Sequence, residues 1–352
     1  MRFGITNGGA VIGAALLTLL PGALAAQQVP RAADGHPDLQ GNWSNATMTP
    51  VQRPAGQGKV LSRDQVQEIE GNREEFLEDQ LQDSDPDRAA PPPGGVLYGD
   101  PLFDAASGGT GGYNVFFIDA GDRVAVYNGE PRSSIIVNPD NGQIPPLTPE
   151  AQQRIRQRMI ASRQWGEYDN PENRPISDRC IMSFGSNAGP PMLPNYFYNN
   201  NYTIVQTPDY VIIETEMVHD TRIIPIDDNY RPQPDYIKPW MGDSRGHWDG
   251  DTFVIETTNI RPEQVEAASY VFPGGSSDMT VVERLTRVDL NTINYEFTVI
   301  DPETYTAAWG GELPFTRLPG QLYEYACHEG NYAMTNILAG ARAEEREAAE
   351  KN

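Results

Sequence analysis

The chain has 352 residues, with 49 acidic against 26 basic side chains and a net charge of −23. A polyanion repels nucleic-acid phosphates and anionic lipid surfaces, which excludes both as main partners. The charge serves solubility, and the length allows one large domain or two small ones.

Residues 1–25 have the three parts of a signal peptide in order: basic Arg2, the short apolar run Ala10 to Leu20, and Ala23-Leu24-Ala25 after Pro21 and Gly22. Cleavage after Ala25 or Ala26 and a periplasmic or secreted product are expected. The alternative is an uncleaved N-terminal anchor. No Cys follows the cut to carry a lipid, and no later run is apolar enough to span a bilayer.

Residues 26–112 are expected to form an N-terminal arm, a helix and loops. Asp34-Gly35-His36-Pro37-Asp38-Leu39 and Gly41-Asn42-Trp43 make an extended arm with one aromatic anchor. Leu61-Ser62-Arg63-Asp64 opens a helix whose Val66, Ile69, Phe76 and Leu77 share a face. Pro91 to Gly95 and Ser107 to Gly112 are loops.

Residues 113–352 form the β-rich domain. Tyr113 to Asp119 and Arg123 to Tyr127 suggest a hairpin, and Ser134 to Val137 and Gln143 to Pro145 flank the Asn141-Gly142 turn. Thr148-Pro149-Glu150 opens a second helix, reaching about Ser162, because Thr caps, Pro suits the first turn and Glu complements the dipole. Six strands follow: Tyr202–Gln206, Tyr210–Val218, Thr221–Ile226, Thr252–Thr257, Met279–Val288 and Thr292–Ile300. Tyr323 to Cys327 is a further candidate strand, and a last helix starts at Ala333. Short turns between evenly spaced strands predict a mainly β fold with a few peripheral helices. The antiparallel meander either closes as a barrel, lipocalin-like in architecture, or packs as a sandwich.

Alternation sharpens this expectation. Met279, Val281 and Leu285 share a face with Glu283 and Arg287, whereas Tyr295, Phe297 and Val299 alternate with Asn294, Glu296 and Thr298. Charges at mid-strand do not belong in a simple core, so that face either meets solvent or lines a polar lumen. Cys180 and Cys327, an isolated pair in an exported chain, are expected to form a disulfide worth roughly 5 kcal/mol by chain entropy.

Three polar clusters contain a histidine: Glu214 to Arg222 with His219, Gly242 to Thr252 with His247, and Tyr323 to Tyr332 with His328. Each histidine has a carboxylate within two residues, the arrangement that tunes an imidazole for proton transfer. Ordinary turns also contain Asp and Gly beside His, and Asp249-Gly250 alone makes a good hairpin turn. The candidate acids and bases are His219, His247 and His328, with Asp220, Asp243, Asp249 and Glu329 to orient them. Arg222 and Arg245 would bind developing negative charge. Trp240, Trp248, Glu283, Glu296 and Tyr325 are candidate substrate contacts. Standard nucleophile, zinc-protease, phosphate-loop and dinucleotide motifs are absent from the sequence.

Four blocks together resemble an uncharacterised family of secreted bacterial proteins. They are Asp34-Gly35-x-Pro37-Asp38-Leu39, Gly142-Gln143-Ile144-Pro145-Pro146-Leu147-Thr148, Gly242-Asp243-Ser244-x-Gly246-x-Trp248-x-Gly250-Asp251-Thr252 and Tyr325-Ala326-Cys327-His328-Glu329-Gly330-Asn331-Tyr332. The resemblance covers nearly the whole mature chain and implies that the blocks belong to one domain. It brings no activity, cofactor or catalytic residue.

The leading expectation is a secreted, cofactor-free enzyme using acid–base chemistry (hydrolysis, isomerisation or cyclisation) on a small organic molecule. One alternative is a non-catalytic barrel holding an apolar or aromatic ligand. Another is a metalloenzyme in which His219, His247 and His328 ligate zinc.

Overall fold

The computed structural model describes residues 29–83, 87, 118–183, 188–195, 197–227, 231–261, 263 and 275–351. The expected signal peptide, the loops Pro91 to Gly95 and Ser107 to Gly112, and the start of the Tyr113 strand lie outside them.

Twelve strands and three α-helices occur among the described residues. The strands are β1 Gly41–Ser44, β2 Val126–Tyr127, β3 Glu130–Pro131, β4 Ile136–Asn138, β5 Asn201–Gln206, β6 Tyr210–Thr215, β7 Thr221–Pro225, β8 Asp243–Asp249, β9 Thr252–Thr258, β10 Thr280–Arg287, β11 Thr292–Ile300 and β12 Trp309–Arg317. The helices are α1 Arg63–Gln80, α2 Pro149–Ser162 and α3 Ala333–Lys351.

Nine strands run in the order β7-β6-β5-β1-β12-β11-β10-β9-β8, with β4 pairing β12 outside that path, and the ladder is antiparallel throughout. A parallel bridge from Ile226 to Gly246 brings edge strands β7 and β8 together, so the sheet is a nearly closed barrel. Two meanders, β5–β7 and β8–β12, are thus joined on one side by β1 from the N-terminal arm and face each other across a seam on the other.

Local chemistry accounts for the turns. At the β5–β6 turn, Tyr210 N–H donates to Thr207 Oγ1 at 2.9 Å. At the β10–β11 turn, Asn291 N–H donates to Asp289 Oδ1 at 2.7 Å. Gly250, at φ 61°, takes the left-handed position of the β8–β9 turn. Helix α2 starts as expected, with Ala151 N–H donating to Thr148 Oγ1 at 3.1 Å.

Several elements depart from expectation. Strand β4 pairs with β12 and not with Gln143 to Pro145, and β2 pairs with β3. Tyr323 to Cys327 forms no strand. Strand β12 was hidden because Gly310, Gly311 and Pro314 resemble breakers. The glycines are needed for close approach: an added Cβ would lie 2.2 Å from Phe297 O at Gly310 and 2.4 Å from Ile135 O at Gly311. Gly311→Ala is expected to cost about 1–3 kcal/mol, read as a lowered midpoint in thermal unfolding.

The inward positions of the barrel are filled with side chains. Trp43, Tyr202, Phe253, Leu285, Tyr295 and Phe315 are fully buried in one apolar cluster. The face carrying Glu283 and Arg287 therefore meets neither solvent nor a polar lumen; it is the packed interior. Arg287 is tolerated there because Nε donates to Asp289 O at 3.0 Å, Nη2 donates to Leu290 O at 2.8 Å, and its guanidinium lies 5.2 Å from the Trp43 ring.

The expected disulfide is present, with Cys180 and Cys327 Cα atoms 5.7 Å apart. It ties the irregular segment before α3 to the loop around residue 180. Asn331 Nδ2 donates to Cys180 Sγ at 3.2 Å, and Arg342 of α3 donates to Tyr168 O at 3.1 Å. Helix α3 has no buried residue. Reduction is therefore expected to free this C-terminal segment and leave the barrel folded. Hydrogen exchange should then show protection lost after about residue 322 and kept in β9–β11; uniform loss across the sheet would refute this.

Candidate functional site

A buried, hydrogen-bonded polar group lies inside the barrel, at the end where β7 faces β8. Arg222, Ser244, Thr257 and Glu283 occupy inward positions of β7, β8, β9 and β10. Arg222 Nη2 donates to Glu283 Oε2 at 2.5 Å, and Nη1 donates to Oε1 at 3.1 Å. Nη2 also donates to Thr257 Oγ1 at 3.0 Å and to Ser244 Oγ at 3.2 Å. The side chains are only 2% and 0% exposed, so neither charge would survive there without the other. Tyr295 completes the group: its hydroxyl donates to Glu283 Oε1 at 2.8 Å and accepts from Met192 N–H at 2.9 Å. Burial, reinforced by the Glu283 charge, raises the Tyr295 pKa well above the ordinary phenol value.

A cleft of about 290 Å³ opens over this group at the seam, lined by Asp220, Arg222, Ile223, Trp240, Asp243 and Ser244 among others. Asp220 stands out. Its Oδ2 is buried and has no hydrogen-bond partner. Burial pushes the carboxyl up to about 7, against the lowering effect of nearby His219. The turn that presents it is strained, with Val218 and His219 at φ 61° and 46°. Such a conformation is rare for a β-branched residue and tends to mark functional turns. Asp243 accepts from Gln233 N–H at 2.6 Å, and Trp240 is held under Arg261, 4.5 Å from its ring.

The three candidate histidines do not share a cleft. His219 lines a second one of about 370 Å³ with Glu214, Glu216 and Tyr325, and its Nδ1 lies 3.3 Å from Tyr325 O. His247 sits on β8 one position out of phase with inward Gly246, so it points outward and is exposed. His328 and Glu329 are exposed on the segment after the disulfide. None of the clefts described is lined by two histidines. Among the described residues, no group of three or more His, Cys, Asp or Glu is placed to hold a metal ion.

Arg245, Asp249 and Glu296 lie on the outer wall, whereas Trp248 is on the inward face of β8 and packs against Phe253, 5.1 Å between ring centroids. Arg245 pairs with Glu256 at 2.7 Å, Asp249 with Arg284 at 2.9 Å, and Glu296 accepts from the Tyr127 hydroxyl. Trp248 is half-buried, stacked on His36 with ring centroids 4.4 Å apart. Glu283 cannot touch substrate; its carboxylate is consumed by Arg222 and Tyr295. Asp220, Arg222, Asp243 and Trp240 are brought together, and Ser244 and Thr257 join them unforeseen. The signal for Thr257 was its parity: it follows Phe253 and Ile255 on an otherwise apolar inward face.

Compared with known families, curated proteins and solved structures, the chain finds no match.

Proposed function

We propose that the seam cleft binds a small organic molecule and acts on it by proton transfer, with Asp220 as the acid or base. The observation that carries this reading is the buried, unpartnered Oδ2 of Asp220 in the wall of a cleft of ligand size. A carboxyl poised at about 7 exchanges protons efficiently near neutral pH. Arg222, locked by Glu283, provides a rigid floor, and the stretch from Pro239 to Ser244 provides the opposite wall. The acid–base role thus moves from the histidines to Asp220; His219, its neighbour in sequence, tunes it electrostatically. Proton transfer of this kind needs no cofactor and serves hydrolysis, isomerisation and cyclisation alike. Among the described residues no helix is long and apolar enough to cross a membrane. The signal-peptide-like N-terminus and the disulfide support a periplasmic or secreted location.

The test is turnover on a panel of chromogenic esters, lactones and glycosides by the wild type and Asp220→Asn. Asp220→Asn is expected to cut the rate by roughly 100-fold or more with the fold intact. Turnover that survives in Asp220→Asn would refute the assignment, and ligand binding without turnover would make the cleft a binding site only.

A further inference from the structure

We infer that the seam cleft takes a neutral polyhydroxylated molecule, a sugar or polyol, and seats one hydroxyl between Thr215, Asp220 and Arg222. This rests on the seam cleft being the functional site and adds the class of substrate.

Three buried polar atoms carried by one hairpin have no hydrogen-bond partner. They are Thr215 Oγ1, Asp220 Oδ2 and Arg222 Nε. Thr215 and Asp220 face each other across the β6–β7 turn, where Thr215 N–H donates to Asp220 O at 2.8 Å. Two positions along the ladder, on the same face, Ile213 pairs with Arg222. Thr215 is fully buried and Arg222 nearly so, which makes an unmet hydrogen bond costly at both. Asp220 and Arg222 line the cleft itself.

The chemistry of the three groups selects the ligand atom. Arg222 Nε only donates, Thr215 donates or accepts, and an ionised Asp220 only accepts. An alcohol oxygen has one proton to give and two lone pairs to receive. It can donate to Asp220 while accepting from Arg222 and Thr215. An ammonium has only protons to offer and leaves the Arg222 donor unmet. A carboxylate or phosphate has only lone pairs and meets the charge of Asp220 once that carboxyl is ionised, above about pH 7. Nor does the wider cleft offer an anion a free cation: among its described lining residues the one cation is Arg222, and Glu283 takes its charge. Trp240 supplies an aromatic surface of the kind that packs against sugar rings.

The experiment measures binding by saturation-transfer NMR and calorimetry. The probes are methyl β-glucoside, methyl β-xyloside and xylitol, alongside the matched anion methyl β-glucuronide and the matched cation methyl β-glucosaminide. At least one neutral probe should bind saturably, and at least 10-fold tighter than its charged counterparts. Thr215→Val, isosteric and tolerant of burial, and Asp220→Asn should each weaken that binding by 10-fold or more. Equal or tighter binding of a charged probe, indifference to both variants, or no binding by any neutral probe would overturn the inference. Failure of the underlying reading gives a separate result. Polyols that bind while turnover survives in Asp220→Asn sink the proton-transfer role alone. Asp220-dependent turnover confined to non-hydroxylated substrates sinks the substrate class alone.

Discussion

Removing Glu283 as Glu283→Leu, or Arg222 as Arg222→Met, is expected to destabilise the barrel by about 3–5 kcal/mol, because each leaves the partner charge buried and uncompensated. The loss should appear as a drop on the order of 10 °C in Tm. The two side chains are 0% and 2% exposed, so solvent cannot take over for the missing partner. Glu283→Leu also strips Tyr295 of its acceptor, and Arg222→Met leaves Ser244 and Thr257 to bond each other, already 2.8 Å apart. The double variant Arg222→Met/Glu283→Leu should recover most of the loss, since two apolar side chains of similar volume need no counter-charge. Calorimetry on the three variants checks this. Single variants within about 1 kcal/mol of wild type would mean that water reaches the pair and that the seam is open to its floor.

Asp220 is expected to make the wild type lose stability as pH rises, opposite to the usual behaviour of a carboxylate. Its folded value of about 7 lies above the ordinary 3.8, so between these limits the folded state holds a proton that the unfolded state has released. Stability then falls with pH. The contribution is fully present below about pH 4, is lost as pH rises to about 7, and stays lost above. A shift of this size corresponds to roughly 4 kcal/mol at most. Asp220→Asn cannot ionise, so it should match the wild type near pH 4 and exceed it by up to that amount at pH 8–9. Urea unfolding at a series of pH values isolates the group, because every other carboxylate cancels in the comparison. A flat difference between the two proteins would show that Asp220 is hydrated.

The strands were legible wherever the signal is local. Tyr295, Phe297 and Val299 alternate with polar residues, Asp289 caps its own turn, and Gly250 takes the left-handed position of the other, so β9, β10 and β11 follow from short windows of sequence. Strands β8 and β12 were obscured because Gly246, Gly310 and Gly311 look like interruptions. They are glycine because a neighbour occupies the Cβ position; at Gly246 it is Phe253 Cζ, 2.2 Å away. Missing β8 concealed the parity that turns His247 outward, and with it the separation of the histidines.

The sequence by itself determined the antiparallel β class, the single disulfide, the N-terminal cap of α2 and the strong net negative charge. Each depends on residue type, on neighbours a few positions apart, or on elimination between two cysteines. Only the tertiary structure decided that β1 sits between β5 and β12, that β7 faces β8 across a seam, and that the charges of β7 and β10 meet inside a packed barrel. Arg222 and Glu283 are 61 residues apart. Whether a mid-strand charge is a solvated side chain, a ligand contact or half of a buried pair depends on its partner. That partner is set by strand order, which comes from long-range packing and leaves no local trace.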